Sequence, residues 1–139
     1  MSRTLATLML ATDLLFLAYW GVSIAAALGL MTLPPELMYA DYDEPRVAAW
    51  NWSFLLPDLA FSATGIASVA AARRGSPVWR PLAILSLGFT ATAGGMAVLY
   101  WSLLGEFDPD WYLPNLALLL WPLIFLPGLI SAASRPAAG

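Results

Sequence analysis

The sequence predicts an all-α integral membrane protein, a four-helix bundle with both termini in the cytoplasm. Of its 139 residues, 60% are hydrophobic and only 11% are charged, and the mean hydropathy is +0.74. Soluble domains carry about 25% charged residues, so the composition alone favours a membrane protein. Four long apolar stretches and a one-sided distribution of arginine support the same fold class.

The apolar stretches cover residues 5–31, 49–72, 81–104 and 111–133. Each reaches the roughly 20 residues that a helix needs to cross a bilayer. The first stretch is long for a signal peptide and is interrupted by Asp13, so we expect a membrane span and not a cleaved leader. No internal repeat and no long linker divides the chain, so residues 1–139 are predicted to form a single domain.

The charged residues sort by loop. Cations flank one set of span ends, namely Arg3, Arg73, Arg74, Arg80 and Arg135. The loops at the other ends hold a single cation, Arg46, among the acids Glu36, Asp41, Asp43, Glu44, Glu106, Asp108 and Asp110. Because arginine stays on the cytoplasmic side, both termini and the loop between spans two and three are expected in the cytoplasm of a bacterium, and the protein in its inner (plasma) membrane.

Several function classes are disfavoured by what the sequence lacks. It contains no Cys and no His, the residues that most often bind metals or perform redox and near-neutral acid–base chemistry. The acidic loop "PPELMYADYDEP" does not follow the spacing of an EF-hand, and its prolines and aromatics predict an ordered lid over the bundle. We therefore expect no cofactor, no metal and no nucleic-acid partner.

Two carboxylates lie inside the predicted spans. Asp13 and Asp58 are each eight or nine residues from a span end, or about 12 Å deep at a rise of 1.5 Å per residue. A charged Asp at the bilayer centre costs about 2.5–3.5 kcal/mol on insertion scales, so such residues face the bundle interior and mark functional sites. Asp58 and Asp13 are thus the candidate binding residues and, if the protein is an enzyme, the candidate catalytic ones.

Helical spacing places further polar residues beside these acids. In the second span Asn51, Asp58, Ser62 and Gly65 share one face, and Pro57 is expected to kink the helix and free a backbone carbonyl next to that face. In the third span Gly88, Thr92 and Gly95 form a small-residue stripe that predicts close helix approach. The full set of expected ligand-binding residues is Asp13, Asp58, Asn51, Trp20, Trp52, Ser62, Tyr100, Trp101 and Asn115.

Two simpler interpretations remain open. With no cation inside the spans, both acids could be protonated and hydrogen-bonded, and could serve only to hold helices together, at about 0.6 kcal/mol per bond. Trp52, Tyr100 and Trp101 fall near span ends, where aromatic residues commonly anchor helices at the headgroup level.

Several segments resemble a known family. "TDLLFLAYW", "LPPELMYADYDEPRVAAWNWSF", "PDLAFSATG" and "PNLALLLWPLIFLPGLI" together resemble the YvaD-like family of small bacterial four-span membrane proteins. The resemblance covers nearly the whole chain, and "AWNWSF" is its most specific piece. It implies four helices and no settled activity.

A more distant resemblance is to the EXPERA group, which includes the emopamil-binding sterol isomerase and the sigma-2 receptor. "LPPEL", "SFLLPDLAF" and "YLPNLALLLWPLIF" carry it. The resemblance implies a ligand pocket inside a four-span bundle, with Asp58 binding the ligand and Asp13 matching a first-span acid. The isomerase pattern of a histidine with several acids is missing, which weighs against isomerase chemistry.

The leading hypothesis is therefore an EXPERA-like intramembrane pocket that binds a small lipophilic ligand, such as an isoprenoid, a sterol-like molecule or another lipid. One alternative is a membrane-embedded isomerase or cyclase, in which a protonated Asp donates to the double bond of an olefinic lipid. The other is a structural or accessory subunit of a larger membrane complex. Expected partners are membrane lipids and the ligand, together with a homodimer mate or a larger membrane protein.

Overall fold

The computed structural model describes residues 1–134, and all regular secondary structure in that range is helical. The elements are α1 (Arg3–Ala27), α2 (Pro45–Trp52), α3 (Leu55–Arg73), α4 (Trp79–Leu104) and α5 (Pro109–Ala133), with a 3-10 turn at Pro35–Leu37. Four segments are long and apolar enough to cross a membrane: α1, α2 with α3, α4 and α5. The predicted all-α, four-span fold class is confirmed, and the orientation of the termini stays a prediction. Arg135, part of the predicted charge pattern, lies outside the described residues.

The first helix is shorter than its apolar stretch. It begins at Arg3, where the Ser2 hydroxyl accepts a hydrogen bond from the Leu5 N–H at 3.2 Å, and it ends at Ala27, four residues before the predicted boundary. Gly29 adopts a φ of 72°, and the Leu30 N–H turns back to the Ala25 carbonyl. This left-handed glycine closure ends the helix even though the following residues are apolar.

The second span is two helices. It begins at Pro45, four residues earlier than predicted, and is interrupted between Trp52 and Leu55. Pro57 explains the interruption, because its ring has no N–H and clashes with the carbonyl four residues earlier, that of Ser53. The predicted kink is thus a break between α2 and α3, and it lies just before Asp58.

The helices pack as a row in the order α1, α3, α4, α5, and extensive contacts join each neighbouring pair. At Gly94 the backbones of α4 and α5 approach closely, since a Cβ atom there would lie 2.6 Å from the Asn115 carbonyl oxygen. The predicted stripe is therefore partly wrong: Gly95 does meet Leu119, but a Cβ atom on Gly88 would meet nothing within 4 Å. The true contact face is turned by one residue.

The two ends of the bundle are closed differently. The end where α1 begins and α5 ends, called the termini end, is filled by a core that includes Leu5, Met9, Val69, Leu87 and Leu129. The opposite end, the loop end, carries residues 28–44 and 105–108 and is covered by aromatic packing. At that end Tyr39 is only 7% exposed, and its ring meets the Trp111 ring edge-on at 6.0 Å. The acidic loop does form a lid.

Candidate functional site

A cavity of about 470 Å³ lies between α1 and α5, with α3 and α4 behind it. Its size falls within the roughly 300–1,000 Å³ of small-molecule sites. The wall is mostly apolar and rich in aromatic side chains. These are Phe16, Tyr19, Trp20, Tyr39, Trp50, Phe54, Trp101, Trp111 and Trp121.

Asp58 brings a carboxylate to this apolar wall. The residue is 2% exposed, and its Oδ2 accepts a hydrogen bond from the Trp20 indole N–H at 2.9 Å. Its Oδ1 has no hydrogen-bond partner among residues 1–134. A buried acceptor without a partner costs about 1–3 kcal/mol, or more for a charged group. The cavity therefore offers an incoming molecule one strong and unused acceptor.

Local sequence fixes where this carboxylate lies. Because the chain breaks before Pro57, Asp58 falls in the first turn of α3, and its N–H donates to the Phe54 carbonyl at 2.9 Å. A carboxylate is favoured at the start of a helix, where the unpaired N–H groups carry partial positive charge. The break thus provides both the position of Asp58 and part of its stabilisation.

A second polar pair lies nearer the loop end. The Tyr19 hydroxyl donates to Oδ1 of Asn51 at 3.1 Å, and both residues line the cavity. Asn51 is seven residues before Asp58, about two helical turns, on the same side of the second span. Two hydrogen-bonded pairs, Tyr19 with Asn51 and Trp20 with Asp58, therefore join α1 to the second span along one wall of the cavity.

Outside the membrane spans, burial raises the pKa of the Tyr39 phenol, which keeps this residue of the lid neutral.

Asp13 lies apart from the cavity. It is 1% exposed, and its carboxylate packs directly on Gly65, where a side chain would collide with it. The Ser62 hydroxyl donates to its backbone carbonyl at 3.4 Å, and Oδ2 has no hydrogen-bond partner in the described part of the chain. Asp13 does not line the cavity, so the two predicted acids belong to different environments.

The other expected site residues divide into two groups. Three of them line the cavity beside Asp58: Trp20, Trp101 and Asn115. Asn115 lies on α5, and its side-chain NH2 donates to the Trp111 carbonyl at 2.7 Å. All three side chains face the space between the helices.

Three expected residues lie behind the wall. Trp52 packs on the Trp20 ring with 5.3 Å between centroids, and Tyr100 stacks on Trp50 at 3.9 Å. Ser62 contacts Asp13, as described above. Trp52 and Tyr100 support rings that line the cavity, so their contribution is to hold those rings in place.

Most of the wall that α1 and α5 provide was not predicted. The α5 residues recur at intervals of one helical turn, and so do those of α1. The residues that were not predicted are Leu8, Ala11, Thr12, Leu15, Phe16, Tyr19, Asp110, Trp111, Pro114, Ala117, Leu118 and Trp121. Because α1 and α5 are apolar on all sides, no contrast with a polar face marks this periodicity in the sequence.

The chain matches the model of a family described as "Family of unknown function (DUF5360)" over residues 5–136. It is also similar to the uncharacterised protein YvaD of Bacillus subtilis (strain 168), with 32% identity over 133 residues, which is 96% of each chain. No solved structure matches it significantly. These matches confirm the resemblance to the YvaD-like family, while the resemblance to the EXPERA group stays a prediction.

Proposed function

The chain belongs to the DUF5360 family, a family of unknown function, and we propose that it binds a small lipophilic molecule in its intramembrane cavity, with Asp58 as the polar anchor. The chain is a membrane protein with four apolar spans, and the cavity lies among them. The single observation that carries the proposal is the unpartnered Oδ1 of Asp58 on the cavity wall.

The chemistry of the wall defines the class of ligand. A molecule that donates a hydrogen bond from a hydroxyl or amine would satisfy Oδ1 of Asp58, which removes the cost of the unpaired acceptor. Aromatic side chains around it would bury an apolar body. An isoprenoid alcohol, a sterol-like molecule or another lipid with one polar end has this combination of groups.

Binding is better supported than catalysis. An isomerase or cyclase that uses two acids needs both at the substrate, one to donate a proton and one to stabilise the cation. Asp58 lines the cavity, but Asp13 packs against Gly65 instead. We therefore assign Asp58 a binding role, and give Asp13 a role in the contact between α1 and α3.

We further propose that the protein lies in the bacterial inner membrane with its termini end on the cytoplasmic side. Arg3 is the first residue of α1, while Arg73, Arg74 and Arg80 surround the loop between α3 and α4 at that same end. The distribution of cations favours this orientation. Association with a second copy or a larger membrane protein remains a prediction.

The test of binding is mass spectrometry of the lipids that copurify with the protein. A defined species should be enriched in the wild type and lost in Asp58→Asn, because the amide oxygen would accept from the Trp20 N–H and leave an NH2 donor in place of the unpaired acceptor. Asp13→Asn is the matched control: it neutralises the other buried acid, away from the cavity, and should keep the ligand. Circular dichroism of each variant shows that it is folded. The same bulk phospholipid in all three proteins would overturn the proposal.

A further inference from the structure

We infer that the cavity exchanges its occupant directly with the lipid bilayer, through a lateral gap between α1 and α5, so that the ligand is a membrane-dissolved lipid with a hydrogen-bond donor. This inference rests on the proposed function and adds the source of the ligand and its route. A soluble metabolite would instead need a path from water past the lid at the loop end.

The gap is visible in how the helices pack. Extensive contacts join α1 to α3, α3 to α4 and α4 to α5, but none of comparable extent joins α1 to α5. On α1, Ala11 and Leu15 line the cavity and are also exposed on the outside of the bundle. On α5, Pro114 and Ala117 do the same. Exposed lining residues on both helices, together with the lack of extensive contact between α1 and α5, mark a mouth there.

The mouth lies at hydrocarbon depth. Ala11 and Leu15 are eight and twelve residues after the start of α1, so they lie about 12 and 18 Å along a span that must cross roughly 30 Å of hydrocarbon. Ala117 lies eight residues into α5, which runs in from the loop end. Small side chains at Ala11 and Ala117 keep the gap wide at this level.

Along α5 the gap extends toward the loop end, where Asp110 also lines the cavity and is exposed. The opening is therefore a slit that runs from headgroup level to the middle of the membrane. A molecule with an acyl or isoprenoid body can enter such a slit sideways without leaving the bilayer.

The axial routes are closed by packing. At the loop end Tyr39, Val47 and Trp101 form one buried cluster under the lid. At the termini end Leu5 and Met9 of α1 pack with Leu129 of α5, so the gap does not continue to that end. The open side that remains is the one facing lipid.

Photolabelling from within the bilayer tests the route. The protein is reconstituted in phosphatidylcholine vesicles that contain a long-chain alcohol with a diazirine at mid-chain, and sites of carbene insertion are mapped by mass spectrometry. Ala93 and Ala97 are each 4% exposed and form the back wall of the cavity on α4. We expect insertion there and at Leu14, a lipid-facing residue that is 58% exposed, but not at Ala83, which is buried away from the cavity.

Two tryptophan variants distinguish the slit from the lid. Ala117→Trp narrows the mouth and should remove most insertion at Ala93 and Ala97 while leaving that at Leu14 unchanged. Leu120→Trp, which adds the same side chain to an exposed position of α5 outside the cavity, should have no such effect. Met38→Ala, which loosens the lid at a residue outside the cavity wall, should also leave the pattern unchanged.

Insertion at Leu14 without insertion at Ala93 and Ala97 would overturn the inference. A helix of a second copy that fills the gap between α1 and α5 would give this result. So would labelling that depends on Met38 and not on Ala117 overturn it. A ligand that copurifies and depends on Asp58 would still support the proposed function in either case, so the two failures are distinguishable.

Discussion

Trp20 donates its indole N–H to Oδ2 of Asp58 at 2.9 Å, linking α1 to α3 across the back of the cavity. The bond uses one carboxylate oxygen and leaves the other, Oδ1, without a partner among residues 1–134. Trp20 is itself almost fully buried and packs with Phe54, Phe61 and Ala93. The indole therefore holds Asp58 in a fixed orientation before any ligand arrives.

Replacing the indole should test this orientation. Trp20→Phe keeps an aromatic ring but removes the donor, leaving a buried carboxylate with no hydrogen bond, so we expect a loss of about 1–3 kcal/mol in the free energy of unfolding. Denaturation in detergent, followed by circular dichroism, measures it. Trp52→Phe is the control, since that indole packs on Trp20 without contacting Asp58 through a hydrogen bond. Equal losses in the two variants would show that the bond contributes nothing.

The contact between Asp13 and Gly65 gives a second prediction. A Cβ atom on Gly65 would collide with the Asp13 carboxylate, so Gly65→Ala must separate α1 from α3 and should destabilise the fold by about 1–3 kcal/mol. Gly88→Ala is the matched control: its Cβ atom meets nothing within 4 Å, and alanine in mid-helix is favoured over glycine by about 0.5–1 kcal/mol.

A double substitution identifies the cause of the Gly65 effect. If the collision is with Asp13, then Asp13→Ala should remove much of the penalty of Gly65→Ala, giving a coupling energy of about 0.5–3 kcal/mol in a double-mutant cycle. Strictly additive effects of the two substitutions would place the strain elsewhere.

Gly94 predicts how tightly α4 is held to α5. Its Cβ atom would lie 2.6 Å from backbone atoms of Asn115 and Leu119, which cannot move aside independently, so Gly94→Ala should destabilise the protein by about 1–3 kcal/mol. Gly95→Ala meets only the end of the Leu119 side chain, at 3.3 Å, and should cost less. Thermal unfolding of both variants gives the comparison, and an equal cost would argue against a backbone contact at Gly94.

The sequence was sufficient for the four spans because hydropathy over about 20 residues depends on composition and not on neighbours. It also indicated a distortion at Pro57, since proline removes a donor whatever surrounds it. The sequence does not show in the same way which side chains meet across two helices. Helical spacing put Asp13 and Asp58 on interior faces, but only packing shows that one faces a cavity and the other a glycine.

The face of α4 that contacts the other helices also could not be predicted from the sequence. Small residues lie on more than one face of α4, and the spacing of Gly88, Thr92 and Gly95 predicts one of these faces. The structure instead buries Leu87, Ala91, Gly94 and Ala97, along with other residues of that face. Because α4 is apolar all round, a rotation of one residue leaves the hydrophobic pattern unchanged, and the sequence alone does not fix it.

Orientation in the membrane can be tested because the chain contains no cysteine. Single cysteines at Ser76, in the loop between α3 and α4, and at Asp43, in the lid, lie at opposite ends of the bundle. In intact spheroplasts a membrane-impermeant maleimide should label Asp43→Cys and leave Ser76→Cys unlabelled, because arginine is retained on the cytoplasmic side. Lysis should make Ser76→Cys reactive, which controls for access to the thiol. The reverse pattern would place the arginine-flanked end outside the cell.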